Sequence, residues 1–180
     1  LTEIRTDADL AAAIVERVRS YAKGTRSERV SSEVSELVNK AVREFKRQSG
    51  ERVEVWVPQE QPVYIIVNPL EFELVIINLL RNAAQALQEL GVLNPKVALT
   101  IKREDNKALI AIEDNGHIEK EKIEKLSEPT NSTKADGLGL GLQIVRSIIE
   151  NHGGKIFFSQ AASGGLRVEI RLPAEETTEQ

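Results

Sequence analysis

The sequence predicts an α+β fold, a two-layer α/β sandwich in which helices cover one face of a mixed, mostly antiparallel sheet. Three observations indicate this class. Amphipathic helical segments are interspersed with short apolar runs that are typical of strands. Two pairs of such runs are each joined by a turn-like segment, as in β-hairpins. Glycines follow several of the helical segments, where helices commonly end.

Composition limits the class of protein. The chain has 180 residues, of which 41% are hydrophobic and 29% charged, which is typical of a soluble globular domain with an appendage. The net charge of -4 argues against a nucleic-acid interface, and the absence of cysteine excludes thiol and disulfide chemistry. No apolar run has the roughly 18 residues needed to span a membrane and no signal peptide is present, so we expect a cytoplasmic fragment without direct membrane contact. Because the chain starts at Leu1 and lacks methionine, we expect it to be part of a longer protein, which could be anchored in a membrane with this portion in the cytoplasm.

Residues 1–23 predict one long helix. Its apolar positions step by four and three residues, which is a heptad seam: Ile4, Ala8, Ala11, Val15, Val18 and Ala22. The following sequence offers this seam no obvious partner, so we expect it to pack on a missing helix or on a second chain. The alternative is an ordinary amphipathic helix that folds onto its own domain.

The next elements follow from periodicity and capping residues. After a polar connector, Ser31 or Ser32 is the expected N-cap of a helix over residues 33–48, which ends at Gly50. Asn68, Pro69 and Glu71 form a strong N-terminal signal for a helix that runs to about Leu90. The remaining predictions are strands at 53–57 and 63–67, a hairpin of 96–104 and 107–114, a short helix at Lys120–Leu126, a helix at Leu140–His152, and a hairpin of 155–159 and 166–172.

The helix that starts after Asn68 carries an unusual polar stripe. Asn78, Asn82 and Gln85 interrupt an otherwise apolar sequence and, with Glu89, fall within about 60° of one another. A buried amide without a partner is costly, so a bound ion or polar ligand would explain the stripe. The alternative is a solvated polar edge. Glu73 points roughly 140° away from Asn78 and is not placed in the same site.

Two further segments are candidates for ligand binding. In Asp114-Asn-Gly116 a carboxylate at a strand end could accept a hydrogen bond from an exocyclic amine, and the glycine would let a flat ring approach; ordinary turn chemistry is the alternative. In Gly137-Leu-Gly139-Leu-Gly141 three glycines run into a helix, which suits phosphate; a flexible loop is the alternative. Its spacing matches neither a Walker loop nor a Rossmann turn.

The order of these three segments resembles the ATP-binding domain of sensor histidine kinases. The run from Asn78 to Asn82 resembles the N box of that family, Asp114-Asn-Gly116 the start of the G1 box, and Gly137–Leu142 the G2 box. His152-Gly-Gly also matches the usual end of the following helix. The resemblance covers residues 1–173 and implies the Bergerat-type ATP-binding fold of the GHKL ATPases.

The resemblance also implies roles for individual residues. Asn82 would coordinate Mg²⁺ that bridges the ATP phosphates, and Asn78 would lie nearby as a second catalytic amide. Asp114 would bind the amino group of adenine, and Gly116 would admit the ring. The remaining implied cofactor contacts are Gln85, Lys134 in the lid, and Gly137, Gly139, Leu140 and Gly141 at the phosphates.

At the level of domains, residues 1–24 resemble the second helix of a dimerisation hairpin whose first helix, with the phosphorylated histidine, is missing. Residues 25–173 would be the ATP-binding domain and 174–180 a disordered tail. The implied activity transfers the γ-phosphoryl group of Mg·ATP to that histidine for relay to an aspartate of a response regulator receiver domain, in a homodimer. Neither His117 nor His152 has the setting of the missing histidine.

Two departures from the family pattern leave alternatives open. His117-Ile118 follows Gly116 where the family has a second glycine, and the lid region carries Leu126-Ser-Glu-Pro instead of phenylalanines. The domain could therefore be a degenerate nucleotide-binding or dimerisation module without kinase activity. A chaperone or topoisomerase-like ATPase of the same fold is disfavoured, because those proteins have a glutamate at the position of Asn78.

Overall fold

The computed structural model describes residues 28–49, 52–57, 61–128 and 140–176. Four helices lie within these ranges: α1 (Val34–Ser49), α2 (Pro69–Glu89), α3 (Lys120–Ser127) and α4 (Leu140–Asn151). The strands are β1 (Val30–Glu33), β2 (Glu54–Trp56), β3 (Tyr64–Val67), β4 (Lys96–Glu104), β5 (Lys107–Asp114), β6 (Lys155–Gln160) and β7 (Leu166–Pro173). The helix predicted over residues 1–23 lies outside the described residues.

The main sheet has five strands in the order β2-β4-β5-β7-β6. Only the short β2 runs parallel to its neighbour β4, and the other pairs are antiparallel. The predicted α+β class with a mixed, mostly antiparallel sheet is therefore confirmed. Both predicted hairpins form, and β4 pairs with β5 from Val97 opposite Asp114 to Glu104 opposite Lys107.

One face of this sheet packs against the helices, and the other carries ion pairs together with a few apolar side chains. The inward residues of β5 and β7 alternate along each strand, because successive side chains of a strand point to opposite faces. Ile110, Ile112, Val168 and Ile170 are buried in the core with apolar side chains of α1, α2 and α4. On the outer face Arg167 is paired with Glu113 and Glu169 instead.

A second, two-stranded sheet corrects two predictions. Ser31 and Ser32 do not cap a helix, because both lie in β1, which pairs antiparallel with β3. The strands β2 and β3 therefore belong to different sheets, although they are neighbours in sequence. A bridge between Ile65 and Ala174 links the small sheet to the end of β7, and the Glu175 N–H donates to the carbonyl of Tyr64. Backbone pairing thus extends two residues past 173, the predicted end of the domain.

The helix α2 positions most of the site. The Asn68 side chain accepts a hydrogen bond from the Glu71 N–H at 2.9 Å, which confirms the predicted N-cap with proline in the first turn. The apolar face of α2 is fully buried and includes Phe72, Ile76, Leu80 and Leu87. None of the described helices is long and apolar enough to cross a bilayer.

Candidate nucleotide-binding site

The carboxylate end of the site is formed by Asp114, Gly116, Ser163 and Gly165. Asp114 is the last residue of β5 and is 7% exposed. Its Oδ1 accepts the Gly116 N–H at 2.9 Å, and its Oδ2 accepts the Leu166 N–H at 3.3 Å. Burial raises the pKa of Asp114, while the N–H groups of Gly116 and Leu166 oppose the rise. The carboxylate is held in one orientation, and Oδ2 keeps acceptor capacity for an amine.

The turn between β6 and β7 encloses this carboxylate from above. The Ser163 hydroxyl donates to the carbonyl oxygen of Asp114 at 2.9 Å. A Cβ on Gly165 would lie 2.2 Å from that carbonyl oxygen and 2.3 Å from Asp114 Oδ1, so only glycine fits there. The sequence Ser163-Gly-Gly165 by itself predicts only a hairpin turn and does not mark Ser163 or Gly165 as site residues. Glycines next to a hydroxyl residue, in the turn of a hairpin that pairs with the acid-bearing strand, are the signal that could have identified them.

An apolar wall lies beside Gly116. A Cβ at this position would be 3.1 Å from Leu90 Cδ1 and 3.2 Å from Leu87 Cδ2, so the glycine allows the backbone to approach the C-terminal part of α2. Leu87 is buried, whereas Leu90 is 52% exposed. An exposed leucine next to a buried carboxylate offers a flat heterocycle an apolar surface and a hydrogen-bond acceptor together.

The residues that depart from the family pattern are packed against the same turn. The Ile118 side chain is 9% exposed, its N–H donates to the carbonyl of Gly164 at 3.1 Å, and its own carbonyl accepts the Gln160 side-chain amide at 3.2 Å. His117 is exposed. Asn115 has a structural role, because its side chain bonds the backbone of Asn94 and Lys96. The altered segment is therefore anchored to the β6–β7 turn.

The amide end of the site is formed by Asn78, Asn82 and Gly141. Asn78 Nδ2 donates to the carbonyl of Leu74 at 2.9 Å, and its Oδ1 would lie 3.2 Å from a Cβ on Gly141. The first turn of α4 thus approaches the Asn78 amide closely. Asn82 is exposed and its side chain makes no hydrogen bond with the described part of the chain. Gln85 is also exposed, and its amide donates to Glu89 at 2.9 Å.

The helix α2 joins the two ends. Asn78 in its middle lies at α4, and Leu87 near its end lies at Gly116. These positions are nine residues apart, which is about 14 Å along a helix axis. The predicted contacts Lys134, Gly137 and Gly139 lie outside the described residues, and only the backbone of Leu140 is described. Gly116 thus lies against the C-terminal part of α2 and Gly141 against its middle, so the two groups of predicted site residues border the same helix.

One further contact joins α4 to α3 and to β6. Arg146 of α4 donates to the carbonyl of Leu126 at the end of α3 and stacks over the ring of Phe158, with its guanidinium carbon 5.1 Å from the centroid. The residues on both sides of 129–139 are therefore fixed to the body of the domain.

This fold, with an acid at the end of a central strand and an amide-bearing helix beside it, defines the Bergerat class of ATPase domains. The family model "Histidine kinase-, DNA gyrase B-, and HSP90-like ATPase" matches residues 67–176. The chain belongs to this family.

Similar proteins indicate which kind of ATPase within this family the chain resembles. The sensor protein TdiS of Thauera aromatica is 32% identical over 177 residues, which cover 93% of this chain and 32% of TdiS. Sporulation kinase B of Bacillus subtilis is 34% identical over 125 residues, 68% of this chain and 28% of that kinase. The chain thus spans about a third of the length of such relatives. The catalytic domain of the histidine kinase ThkA superposes with a TM-score of 0.66 and 27% identity, covering 81% of this chain and 95% of that domain.

Proposed function

We propose that the chain is the ATP-binding catalytic portion of a sensor histidine kinase. The observation that carries this proposal is the enclosed carboxylate of Asp114, which the Gly165 and Gly116 backbones contact so closely that neither position has free room for a side chain. Such a carboxylate accepts a hydrogen bond from the exocyclic amine of adenine and would repel the carbonyl oxygen that guanine has at the same ring position. The similarity to TdiS and ThkA supports the same assignment.

The amide end would receive the phosphates. Asn82 is exposed and its side-chain oxygen is a hard donor of the kind that Mg²⁺ takes together with phosphate oxygens. The proposed Mg²⁺ ligands are this amide, the nucleotide phosphates and water. When bound, the ion would neutralise charge on the β- and γ-phosphates. Asn78 would support the first turn of α4, which lies against its side-chain oxygen.

The phosphoryl acceptor would come from another segment. The chain has two histidines. The His152 ring is buried and both of its nitrogens are hydrogen-bonded, and His117 lies next to Gly116, at the opposite end of the site from the phosphates. In the proposed reaction the bond between the γ-phosphorus and the β–γ bridging oxygen breaks, a phosphorus–nitrogen bond forms on an imidazole, and the imidazole proton leaves. ADP is the other product.

The rest of the proposal concerns the intact protein. Residues 1–24 would be the second helix of a dimerisation hairpin whose first helix carries the acceptor histidine. Residues 25–173 would be the ATP-binding domain and 174–180 a tail, of which Ala174 and Glu175 pair with β3. The phosphoryl group would pass to an aspartate of a response regulator receiver domain. Because ATP is the substrate, the domain would work on the cytoplasmic side of any membrane to which the whole protein is attached.

Titration with a fluorescent ATP analogue, with and without Mg²⁺, tests the nucleotide site. We expect saturable binding that Mg²⁺ strengthens and that Asp114→Ala abolishes. Binding that is absent, or unaffected by Asp114→Ala, would contradict the proposal. A helical hairpin encoded upstream, mixed with this chain and ATP labelled at the γ-phosphate, should become labelled on histidine.

A further inference from the structure

The His152 side chain joins the two helices of the site. It lies just after α4 and is buried. Its Nδ1 is 2.8 Å from the carbonyl of Ile148 in the same helix, and its Nε2 accepts the backbone N–H of Asn68 at 3.1 Å. Because a backbone N–H can only donate, Nε2 is unprotonated and Nδ1 carries the proton that it donates to Ile148. The neutral ring thus has both nitrogens engaged, one within α4 and one across to α2.

The residue that His152 contacts begins α2. Asn68 is the N-cap, and its side chain bonds the Glu71 N–H. The Glu71 carboxylate lies 3.8 Å from His152 Nε2, which is beyond hydrogen-bond distance, so the Asn68 N–H is the closer partner. The imidazole therefore fixes the start of α2 to the end of α4 through the backbone.

The other end of the same helix pair is the amide end of the site. The start of α2 contacts the end of α4, and the middle of α2 contacts the start of α4, so the two helices run antiparallel. Asn68 and Asn78 are ten residues apart, and Gly141 precedes His152 by eleven residues. Asn78 meets Gly141 at one end and Asn68 meets His152 at the other. Because a helix moves nearly as a rigid rod, a tilt of α2 against α4 at one contact would displace the side chains at the other contact, about 15 Å along the axes.

Packing of the turn after His152 against the sheet fixes the position of the His152 ring. After His152 the chain turns into β6 through two glycines, and a Cβ on Gly154 would lie 2.6 Å from Leu172 Cδ2 and 2.7 Å from the carbonyl oxygen of Arg171. The turn is therefore pressed against β7, and the end of α4 cannot shift independently of the sheet. Movement between α2 and α4 at this point must break the hydrogen bond between Asn68 and His152.

We propose that His152 is a positioning residue of the nucleotide site, which acts through the hydrogen bond from the Asn68 N–H to hold α2 at the distance from α4 that brings Asn78 against Gly141. This inference rests on the proposed ATP-binding function. It assigns the histidine no contact with nucleotide.

Two conservative variants separate this role from simple stabilisation. In His152→Gln the side-chain oxygen can reach the place of Nε2 and accept the Asn68 N–H, while the bond to Ile148 is lost. In His152→Asn the amide nitrogen can replace Nδ1 and bond Ile148, while the bond between the helices is lost. Each variant loses one neutral hydrogen bond, so we expect similar losses of thermal stability. Val42→Ala, a core change in α1, is a control for destabilisation away from this contact.

Calorimetric titration of the whole chain with Mg·ATP should show His152→Gln within about twofold of wild type and His152→Asn roughly five- to tenfold weaker. Val42→Ala should bind like wild type below its melting temperature. Affinities of the two histidine variants that are equal, or that follow stability alone, would overturn the proposal. Absence of saturable binding by wild type would overturn the proposed function instead. If either variant fails to fold, an NMR titration of the wild-type chain with Mg·ATP tests the inference instead. The backbone amide resonance of Asn68 should shift when Mg·ATP binds, and an unchanged resonance at saturation would overturn the inference.

Discussion

The two ends of the site differ in how far the protein itself completes them. At the carboxylate end Asp114 is buried, receives two backbone N–H groups and is covered by the β6–β7 turn. At the amide end Asn82 is exposed and its side chain makes no hydrogen bond with the described part of the chain, although the Asn78 side chain is bonded within α2.

The difference indicates a division of tasks. At the carboxylate end the free-energy cost of desolvating Asp114 is already part of folding, so the site is complementary to an amine before any ligand binds. The amide end leaves the side-chain oxygen of Asn82 in water, where a hydrated cation and phosphates can reach it. Changes at the first end should therefore reduce both stability and nucleotide affinity, whereas changes at the second should affect only the binding that depends on Mg²⁺.

Apart from the loss of the carboxylate itself in Asp114→Ala, the largest expected effect is that of Gly165→Ala. The new methyl would overlap the Asp114 carbonyl and carboxylate oxygens, so the turn must move away from β5. We expect a loss of roughly 2–3 kcal/mol of stability and about a hundredfold loss of nucleotide affinity. Ser163→Ala in the same turn adds no atoms and should cost only about 1 kcal/mol. Urea unfolding and calorimetry measure both, and equal behaviour of the two variants would show that the turn does not enclose the carboxylate as described.

Asp114→Asn should have the next largest effect. The amide oxygen can still accept the Gly116 N–H, but the new NH₂ group then faces the Leu166 N–H and an incoming amine, which are also donors. We expect a ten- to hundredfold weaker affinity for ATP, equivalent to about 1.4–2.7 kcal/mol. Asn115→Ala is the control, because it removes hydrogen bonds to Asn94 and Lys96 next to the site and should lower stability without changing affinity. A fluorescent nucleotide titration checks both variants.

Asn82→Ala tests the amide end. Because the side chain is exposed, we expect a change of stability within about 0.5 kcal/mol. Affinity for ATP in the presence of Mg²⁺ should fall about tenfold, while affinity for ADP in EDTA stays unchanged. Gln88→Ala, an exposed position on the same helix, is the matched control and should alter neither. An equal loss with and without Mg²⁺ would assign Asn82 to the nucleotide alone.

The smallest expected effect is a pH dependence at the carboxylate end. Burial raises the pKa of Asp114 above its usual value of 3.8, so between that value and the raised one the folded state binds more protons than the unfolded state. The free energy of unfolding should therefore fall as pH rises through this window, and Asp114→Asn should lack this slope. Nucleotide affinity should change in the opposite direction, because only the ionised carboxylate accepts the amine. Identical stability profiles for wild type and variant would exclude a raised pKa.

Local signals in the sequence predicted much of the fold. The cap at Asn68 defines the start of α2, and the apolar pattern defines both hairpins to within one residue at every strand end. The strand β1 was not predicted, since Val30-Ser-Ser-Glu has no apolar alternation and becomes a strand only by pairing with β3. The separation of β2 from β3 likewise depends on which partners they find in space.

The site was predictable to the extent that its residues are unusual for their element. Asn78 and Asn82 stand out in an apolar helix, and Asp114 stands out at the end of a buried strand. Gly165 does not stand out, because glycine is common in hairpin turns. It contacts Asp114, but the two residues are 51 positions apart in the sequence. Constraints of that kind arise from tertiary packing and leave no local pattern.

The central claim is that a single nucleotide occupies both ends of the site. A ¹⁵N-labelled chain titrated first with ADP in EDTA and then with ATP and Mg²⁺ tests it most directly. We predict that ADP shifts the backbone amides of Gly116 and Leu166 first, and that the Asn82 side-chain amide shifts strongly only after ATP and Mg²⁺ are added. Shifts at Asn82 without any at Gly116 and Leu166, or no saturable shift at either end, would contradict the account.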